Sequence, residues 1–275
     1  MVTVKQLLPL ALGICLLNTS CENSETAENN DVPVPPAIEL ADVPASPEYP
    51  DAQLGINSVK TEKQGNDSAK VMFSFDVKNY ELKSQTADAQ GKNCNNSDKG
   101  QHIHFILDNK PYVALYEPEH EIVLANNTEH YLLCFLSRSY HESVKSPGAA
   151  VIYHFKVDEN GKVQKLEDPT TPMVFYSRPK GDYLGKDTEN LLFDFYVWNG
   201  MLGNDGYKVN AHISGDGVDT TLTITDWKAY FLKNMPMGKP NITLTLVDKD
   251  GNKVDGPGTE VTREFSLAKD EPMVQ

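Results

Sequence analysis

"VMFSFDVKNYEL" (residues 71–82) aligns without gaps on "LLFDFYVWNGML" (residues 191–202). Phenylalanine, valine, asparagine and leucine recur at the same places in both stretches. Three further pairs of segments follow in the same order: 100–103 with 206–209, 130–138 with 240–248, and 151–157 with 261–267. An ordered set of matches whose spacing differs only in the loops indicates a duplicated unit of about 100 residues.

Each copy consists of short segments in which apolar and polar residues alternate. Turn sequences such as "DENGK" (158–162) and "DKDGNK" (248–253) separate the segments, and no sustained helical period is present. The pattern predicts an all-β chain with two tandem immunoglobulin-like β-sandwich domains, domain 1 over residues 51–160 and domain 2 over 171–270. One larger sandwich is the alternative, but the gapless repeat favours two.

The N-terminus has the features of a secretory signal over residues 1–20. Lys5 precedes an apolar run, residues 7–17, that is too short to span a bilayer. The run ends before Ser20 and Cys21, which resembles the loose lipobox of Bacteroidetes lipoproteins. That resemblance implies a lipid on Cys21 as the membrane contact and an outer-membrane location, on the cell surface or facing the periplasm. Cleavage by the ordinary signal peptidase, with Cys21 incidental, is the alternative.

Residues 21–50 are acidic and rich in proline, and those after Cys21 include no lysine or arginine. Such a segment cannot bury a core, so we expect a disordered stalk. The net charge of the chain is −14. A chain with this charge and no basic stripe is not expected to bind nucleic acid.

Two cysteines remain once Cys15 leaves with the signal and Cys21 carries a lipid. Because an exported protein meets oxidising conditions, we expect Cys94 and Cys134 to form a disulfide.

Domain 1 contains six of the seven histidines, and the matched positions of domain 2 carry other residues. The shared fold therefore does not require them. In "HIHFIL" (102–107) the alternation assigns Ile103 and its i+2 neighbours to the core, so His102 and His104 point outward. The same face is predicted to hold Ile106, Tyr131, Leu133 and Phe135, where domain 2 has mainly polar residues.

An outward face of this kind needs a covering partner. We expect it to pack against the insertion at residues 83–99, against domain 2, or against an envelope protein or peptide. The last case would make the chain a binding or scaffold protein. No sequence motif of a hydrolase, a phosphate loop or a zinc peptidase is present, so we predict no enzymatic activity.

A metal site is the second interpretation of the histidines. Two imidazoles at i and i+2 on a strand lie on one side of the sheet, and zinc and copper both bind imidazole. His141 is the third candidate ligand of this zinc or copper site.

Anion binding is the third interpretation. "LSRSYHES" (136–143) resembles the Ser-Arg…His element of forkhead-associated domains, which bind phosphothreonine. The chain also resembles flavobacterial lipoproteins labelled as phosphopeptide-binding. The resemblance covers Ser137, Arg138 and His141 and implies an anion site around them. The basic side chains that could bind the anion are those of Arg138, Lys145, Arg178 and Lys180.

Overall fold

The computed structural model describes residues 36–270. The strands of this region are β1 (Glu39–Asp42), β2 (Gln53–Gln64), β3 (Ser68–Lys78), β4 (His102–Leu107), β5 (Val113–Leu115), β6 (Glu119–Ala125), β7 (Thr128–Ser137), β8 (Ala150–Val157), β9 (Val163–Lys165), β10 (Met173–Arg178), β11 (Gly181–Leu184), β12 (Leu191–Trp198), β13 (Lys208–Gly215), β14 (Val218–Ile224), β15 (Tyr230–Lys233), β16 (Asn241–Val247) and β17 (Glu260–Ala268). The helical segments are α1 (Ala89–Lys92) and a 3₁₀ turn at Gly185–Thr188. Neither helical segment in this part of the chain has the length and apolar character that a membrane crossing needs.

Strands β2 to β9 form the sandwich of domain 1. One sheet has the order β2-β3-β6 and the other the order β5-β4-β7-β8-β9. The two sheets enclose a core in which Phe73, Phe75, Phe105 and Phe155 contact one another through their ring edges and faces. The first, second and fifth strands share a sheet, and the remaining strands form the other, which is the immunoglobulin arrangement.

Domain 2 repeats this arrangement with strands β10 to β17. One sheet contains β10, β12 and β15, and the other has the order β11-β17-β16-β13-β14. Its core includes Phe193 and Phe195, the counterparts of Phe73 and Phe75. The predicted all-β fold with two tandem immunoglobulin-like sandwiches is confirmed, since the matched segments form equivalent strands: β3 and β12, β4 and β13, β7 and β16, β8 and β17.

The predicted disordered stalk is wrong for its C-terminal part. Residues 39–42 form β1, which pairs antiparallel with β15 at the edge of a domain 2 sheet. Leu40 packs against the domain 2 core, and Ala41 packs on the opposite side against Leu192 and Phe231. The segment before domain 1 therefore belongs structurally to domain 2.

The two domains share an apolar interface. Domain 1 contributes the outer face of β4, β7 and β8 together with Tyr112, and domain 2 contributes β10 and β12. The ring of Phe135 stacks on that of Tyr196 with centroids 5.3 Å apart. The buried members of this cluster are Ile106, Tyr112, Leu133, Phe135, Ile152, Met173, Phe175 and Tyr196.

Polar contacts extend the interface on both sides of the apolar cluster. The Asn109 amide donates to the Val174 carbonyl at 2.7 Å and accepts from the Tyr176 N–H at 3.0 Å. On domain 2, the fully buried Asp194 carboxylate accepts from the Lys145 ammonium at 2.7 Å and from the Ser143 N–H at 3.1 Å. These bonds satisfy polar groups that the packing removes from water.

The insertion at residues 83–99 contacts the N-terminal segment and domain 2. The buried Lys92 ammonium on α1 donates to the carbonyls of Pro44 and Ala45. Asn95 donates to Asp187 at 2.8 Å, on the domain 2 side. The insertion thus closes the junction between the two sandwiches at one end of domain 1.

Candidate metal centre

His102 and His104 open strand β4 and lie on its outer face. Between and after them, Ile103 and Phe105 point into the domain 1 core, as the alternation predicts. In the register with β7, His102 lies opposite Ser137 and His104 opposite Phe135. Both histidines therefore stand near the end of the sheet where β7 finishes.

His141 reaches the same place because the chain turns back directly after β7. The Arg138 N–H donates to the Glu142 carbonyl and the His141 N–H donates to the Arg138 carbonyl, both at 2.9 Å. An antiparallel bridge between Ser137 and Ser143 closes the turn. His141 has a φ of 70°, a left-handed backbone that few residues other than glycine and asparagine adopt. The turn aims its imidazole at the two rings of β4.

The three imidazoles converge on one point. His102 Nε2 lies 2.9 Å from His104 Nε2 and 3.1 Å from His141 Nδ1. One ring nitrogen from each residue lies within 4.8 Å of the others, and all three residues are buried. Of the residues that the sequence proposes as metal ligands, the structure brings every one together.

The second ring nitrogens of His102 and His104 also have partners. His102 Nδ1 lies 2.8 Å from the Gly100 carbonyl oxygen, and His104 Nδ1 lies 3.2 Å from Ser177 Oγ. Metal-bound histidines usually hold such a partner on the second nitrogen, which fixes the tautomer and the ring orientation. Because Gly100 offers a carbonyl, His102 Nδ1 carries the proton and Nε2 presents a lone pair to the centre.

Tyr112 covers the cluster from the side. Its ring stacks on His104 with centroids 3.6 Å apart and planes within 9°. Its hydroxyl lies 3.2 Å from His141 Nδ1. The Arg178 guanidinium lies 5.5 Å from the centroid of the Tyr112 ring, and the Lys180 ammonium lies 4.1 Å from it.

Burial keeps the three imidazoles neutral. It lowers the pKa of His102 to about 4, and the positive charges of Arg178 and Lys180 act in the same direction. Burial also places the pKa of His104 and of His141 well below the usual value, with smaller contributions from the neighbouring histidines and the same two cations. Neutral imidazoles are the form that binds metal ions.

The predicted binding face is covered by domain 2, which the sequence analysis named as one of three covering partners. Ile106, Leu133 and Phe135 are fully buried against domain 2, and Tyr131 is half-buried at the edge of the cluster. The expectation that this face is free to bind an envelope protein or peptide is therefore wrong, because the second sandwich of the same chain removes it from water.

The five residues of the predicted anion site do not share an open pocket. Ser137 is buried and donates to the Arg138 carbonyl. Arg138 forms an ion pair with Glu142 at 3.2 Å and also donates to the Pro47 carbonyl. The other three are engaged separately: Lys145 with Asp194, Arg178 with Tyr183, and Lys180 with the Tyr112 carbonyl. Their placement gives no support to phosphopeptide binding.

The predicted disulfide is absent, and Cys94 and Cys134 are both free thiols. Cys134 faces the core of domain 1, whereas Cys94 packs against Leu192 and Phe231 of domain 2. The two side chains thus belong to separate clusters. Cys21, the predicted lipidation site, lies outside the described residues.

Sequence reasoning missed Ser177 and Tyr112. Ser177 lies on β10, whose sequence "MVFYSR" is buried at every position. Val174 and Tyr176 face the domain 2 core, while Met173 and Phe175 face domain 1. A strand with two apolar faces indicates packing on both sides, and this signal was available from the sequence. No comparable signal marks Tyr112.

No model of a known protein family matches this chain, and no curated protein matches it. Among solved structures, the fibronectin(III)-like modules of Clostridium thermocellum CbhA are 13% identical, cover 79% of this chain and 95% of their own, and give a TM-score of 0.27. An extracellular domain from B. thetaiotaomicron is 10% identical, covers 78% of this chain and 38% of its own, and gives a TM-score of 0.28. Scores this low carry no argument, so the fold assignment rests on the strand order.

Proposed function

We propose that this chain is a metal-binding protein that holds one zinc or copper ion between His102, His104 and His141, at the junction of its two sandwiches. The observation that carries the proposal is the convergence of one nitrogen from each ring within 4.8 Å. Zinc and copper are the ions for which imidazole is an ordinary ligand.

The distances fit a site that expands slightly when it is filled. Zinc bound to imidazole nitrogens at about 2.0–2.1 Å holds them about 3.3–3.4 Å apart in a tetrahedral arrangement. The two short distances from His102 Nε2 are 2.9 and 3.1 Å. Outward shifts of a few tenths of an ångström would accommodate an ion, and side-chain rotations suffice for that.

Proton counting supports an ion in preference to a network of hydrogen bonds. His102 Nε2 has a single lone pair, since its proton is on Nδ1, facing the Gly100 carbonyl. The ring nitrogens of His104 and His141 both approach that lone pair. A single N–H is enough to satisfy the lone pair of His102 Nε2. His141 Nδ1 also lies within hydrogen-bond distance of the Tyr112 hydroxyl. A cation at the centre would use all three lone pairs at once.

The position of the site suggests a role in holding the domains together. His102 and His104 belong to domain 1, while the outer-shell partner Ser177 belongs to domain 2. Anything that binds the folded arrangement alone stabilises it by mass action. A bound ion would therefore strengthen the docking of the two sandwiches.

Metal analysis of the purified chain tests the proposal. After loading with zinc or copper and dialysis, we expect a single ion per chain by elemental mass spectrometry. Substitution His141→Asn suits the test because asparagine tolerates the left-handed φ of this position. Affinity should fall by more than the about 10–100-fold typical of outer-shell changes. If the parent chain contained no metal after loading and dialysis, the proposal would be wrong.

His154→Gln is the matched control. His154 lies in domain 1 but away from the triad, where it contacts Glu129 and the Glu167 carbonyl. This variant removes one imidazole and should bind metal like the parent chain. Equal losses in His141→Asn and His154→Gln would indicate nonspecific binding to surface histidines.

The lipid anchor at Cys21, the outer-membrane location and an envelope partner stay predictions. Incorporation of a labelled fatty acid into the parent chain and into Cys21→Ala tests the anchor directly. Equal labelling of both chains would contradict a lipid anchor at Cys21. An envelope partner would have to bind a surface other than the covered face of domain 1.

A further inference from the structure

The ligand set of the triad contains nitrogen alone. Within residues 36–270, the cluster of metal-ligating side chains includes no carboxylate and no thiolate. The outside charges that act on His102 and His141 are those of Arg178 and Lys180, both positive. A cation at this site would thus find neutral ligands and positive neighbours.

Carboxylates of the same region are neutralised in pairs of their own. Glu142, next to His141 in the chain, pairs with Arg138 at 3.2 Å and accepts from Ser46 Oγ at 2.7 Å. Asp194 pairs with Lys145 at 2.7 Å. Neither carboxylate compensates a charge placed among the imidazoles.

The two positive neighbours both lie against Tyr112, and their pKa values shift in opposite directions. Burial opposes the charge of Arg178, but Tyr183 and Tyr112 beside the guanidinium outweigh it and raise the pKa of Arg178. Burial lowers the pKa of Lys180, with Arg178 and Arg263 acting in the same direction, and its ammonium donates to the Tyr112 carbonyl at 2.9 Å. Since Tyr112 stacks directly on His104, both charges are held close to the triad.

Such surroundings discriminate between ions by charge. The cost of moving an ion out of water grows with the square of its charge, and repulsion from fixed cations grows in proportion to it. A divalent ion is therefore penalised much more than a monovalent one. Zinc held by three histidines takes a water or another group as its fourth ligand, whereas copper(I) accepts three nitrogen ligands alone, which the buried imidazoles supply.

We infer that the triad selects copper(I) over zinc(II) and copper(II). This inference rests on the proposed metal-binding function and adds the identity and charge of the ion. The arrangement of neutral buried nitrogens beside Arg178 and Lys180 is what carries it.

Competition with chromogenic chelators under anaerobic conditions tests the selectivity on the full-length chain. One titration uses copper(I) alone and a second uses zinc(II) alone. We expect copper(I) to be held at least about a hundredfold more tightly. The double variant His102→Gln/His104→Gln keeps all four cysteines, so the difference between parent and variant isolates the triad from thiol binding.

Lys180→Gln provides a second measurement that does not remove a ligand. Glutamine keeps a donor for the Tyr112 carbonyl but lacks the positive charge. Relief of repulsion should raise zinc affinity by about tenfold and copper(I) affinity by about threefold, since the effect scales with ionic charge. The exposed Lys156→Gln is the control and should change neither affinity.

The outcomes separate the two proposals. If neither ion binds the triad, the proposed function and this inference both fail. If zinc binds the triad as tightly as copper(I), metal binding stands and the selectivity is wrong. Equal changes for both ions in Lys180→Gln would overturn the argument from charge, because the positive neighbour would then not distinguish the two ions.

Discussion

At the scale of single residues, burial decides what three histidines can do. An exposed imidazole has a pKa near 6.5, so it is partly charged in mildly acidic solution. Domain 2 and Tyr112 remove the triad from water, and burial lowers the pKa of His102 to about 4. The three imidazoles therefore offer lone pairs at neutral pH and stay unprotonated well below the pH at which an exposed histidine becomes charged.

We expect the metal-free chain to lose stability as pH falls from about 6.5 towards about 4. In that window the histidines of the unfolded chain bind protons, whereas the buried imidazoles of the folded chain stay neutral. Acid therefore favours unfolding. Above the unfolded pKa the contribution is fully present, and His102 alone accounts for about 3 kcal/mol. Urea unfolding at about pH 7 and about pH 4 measures most of this contribution. His102→Gln should reduce the pH dependence, and an unchanged dependence would contradict the assignment.

Free thiols give a second prediction at this scale. Burial raises the pKa of Cys94 to about 12, and Cys134 is buried in the domain 1 core. Both thiols should resist alkylation in the folded chain, because the thiolate is the reactive form. In denaturant without reductant, both should be alkylated, as read from the mass. If alkylation in denaturant required prior reduction, the result would support a disulfide between Cys94 and Cys134.

Alternation along β4 predicted that His102 and His104 share the outer face, because side-chain direction in a strand depends on parity alone. The approach of His141 could not be predicted in the same way. It depends on a turn with a left-handed residue and on the bridge between Ser137 and Ser143. The pattern of β10 indicates packing on both faces, but the approach of Ser177 to His104 depends on how one domain docks on the other.

At the scale of elements, β1 shows how a neighbour can create a strand. Its four residues lie among prolines, and that composition predicts disorder when the segment is considered alone. The free edge of β15 supplies the hydrogen bonds, and Leu40 and Ala41 find apolar surface on both sides. The stability of β1 comes from its pairing with β15 and from its apolar contacts with domain 2. The sequence of the segment itself gives no sign of either.

Leu40→Asp tests the contribution of β1. The substitution places a carboxylate against the domain 2 core, and we expect a loss of roughly 1–2 kcal/mol of unfolding free energy. Denaturant unfolding gives the value. Glu39→Gln, at an exposed position of the same strand, should stay within about 0.5 kcal/mol. Similar small effects in both variants would mean that β1 adds nothing to stability.

At the scale of the whole molecule, the duplicated sequence predicted two sandwiches but not their arrangement. The repeat identifies the core residues that both domains share, whereas docking depends on surface residues that differ between the two domains. The apolar outer face of domain 1 and the two-sided strand β10 are such differences. Their pairing joins residues far apart in the chain, as the ion pair of Lys145 with Asp194 does.

That ion pair gives the sharpest test of docking. The Asp194 carboxylate is fully buried on domain 2, and its partners Ser143 and Lys145 both come from domain 1. Asp194→Ala leaves Lys145 and the Ser143 N–H without their acceptor, which should cost about 3–5 kcal/mol. Because the lost bonds lie between the domains, we expect calorimetry to show two separated unfolding transitions in place of one.

Asp219→Ala is the control for Asp194→Ala, since it removes an exposed pair with His212 inside domain 2 and should change stability by at most about 1 kcal/mol. If the Asp194 variant still unfolds in one transition with a comparably small change, the apolar cluster alone holds the domains. If its transitions separate, metal affinity should fall with them, because Ser177 then no longer positions His104. The triad and the interface would then be one cooperative structure, with the ion and the second domain each stabilising the other.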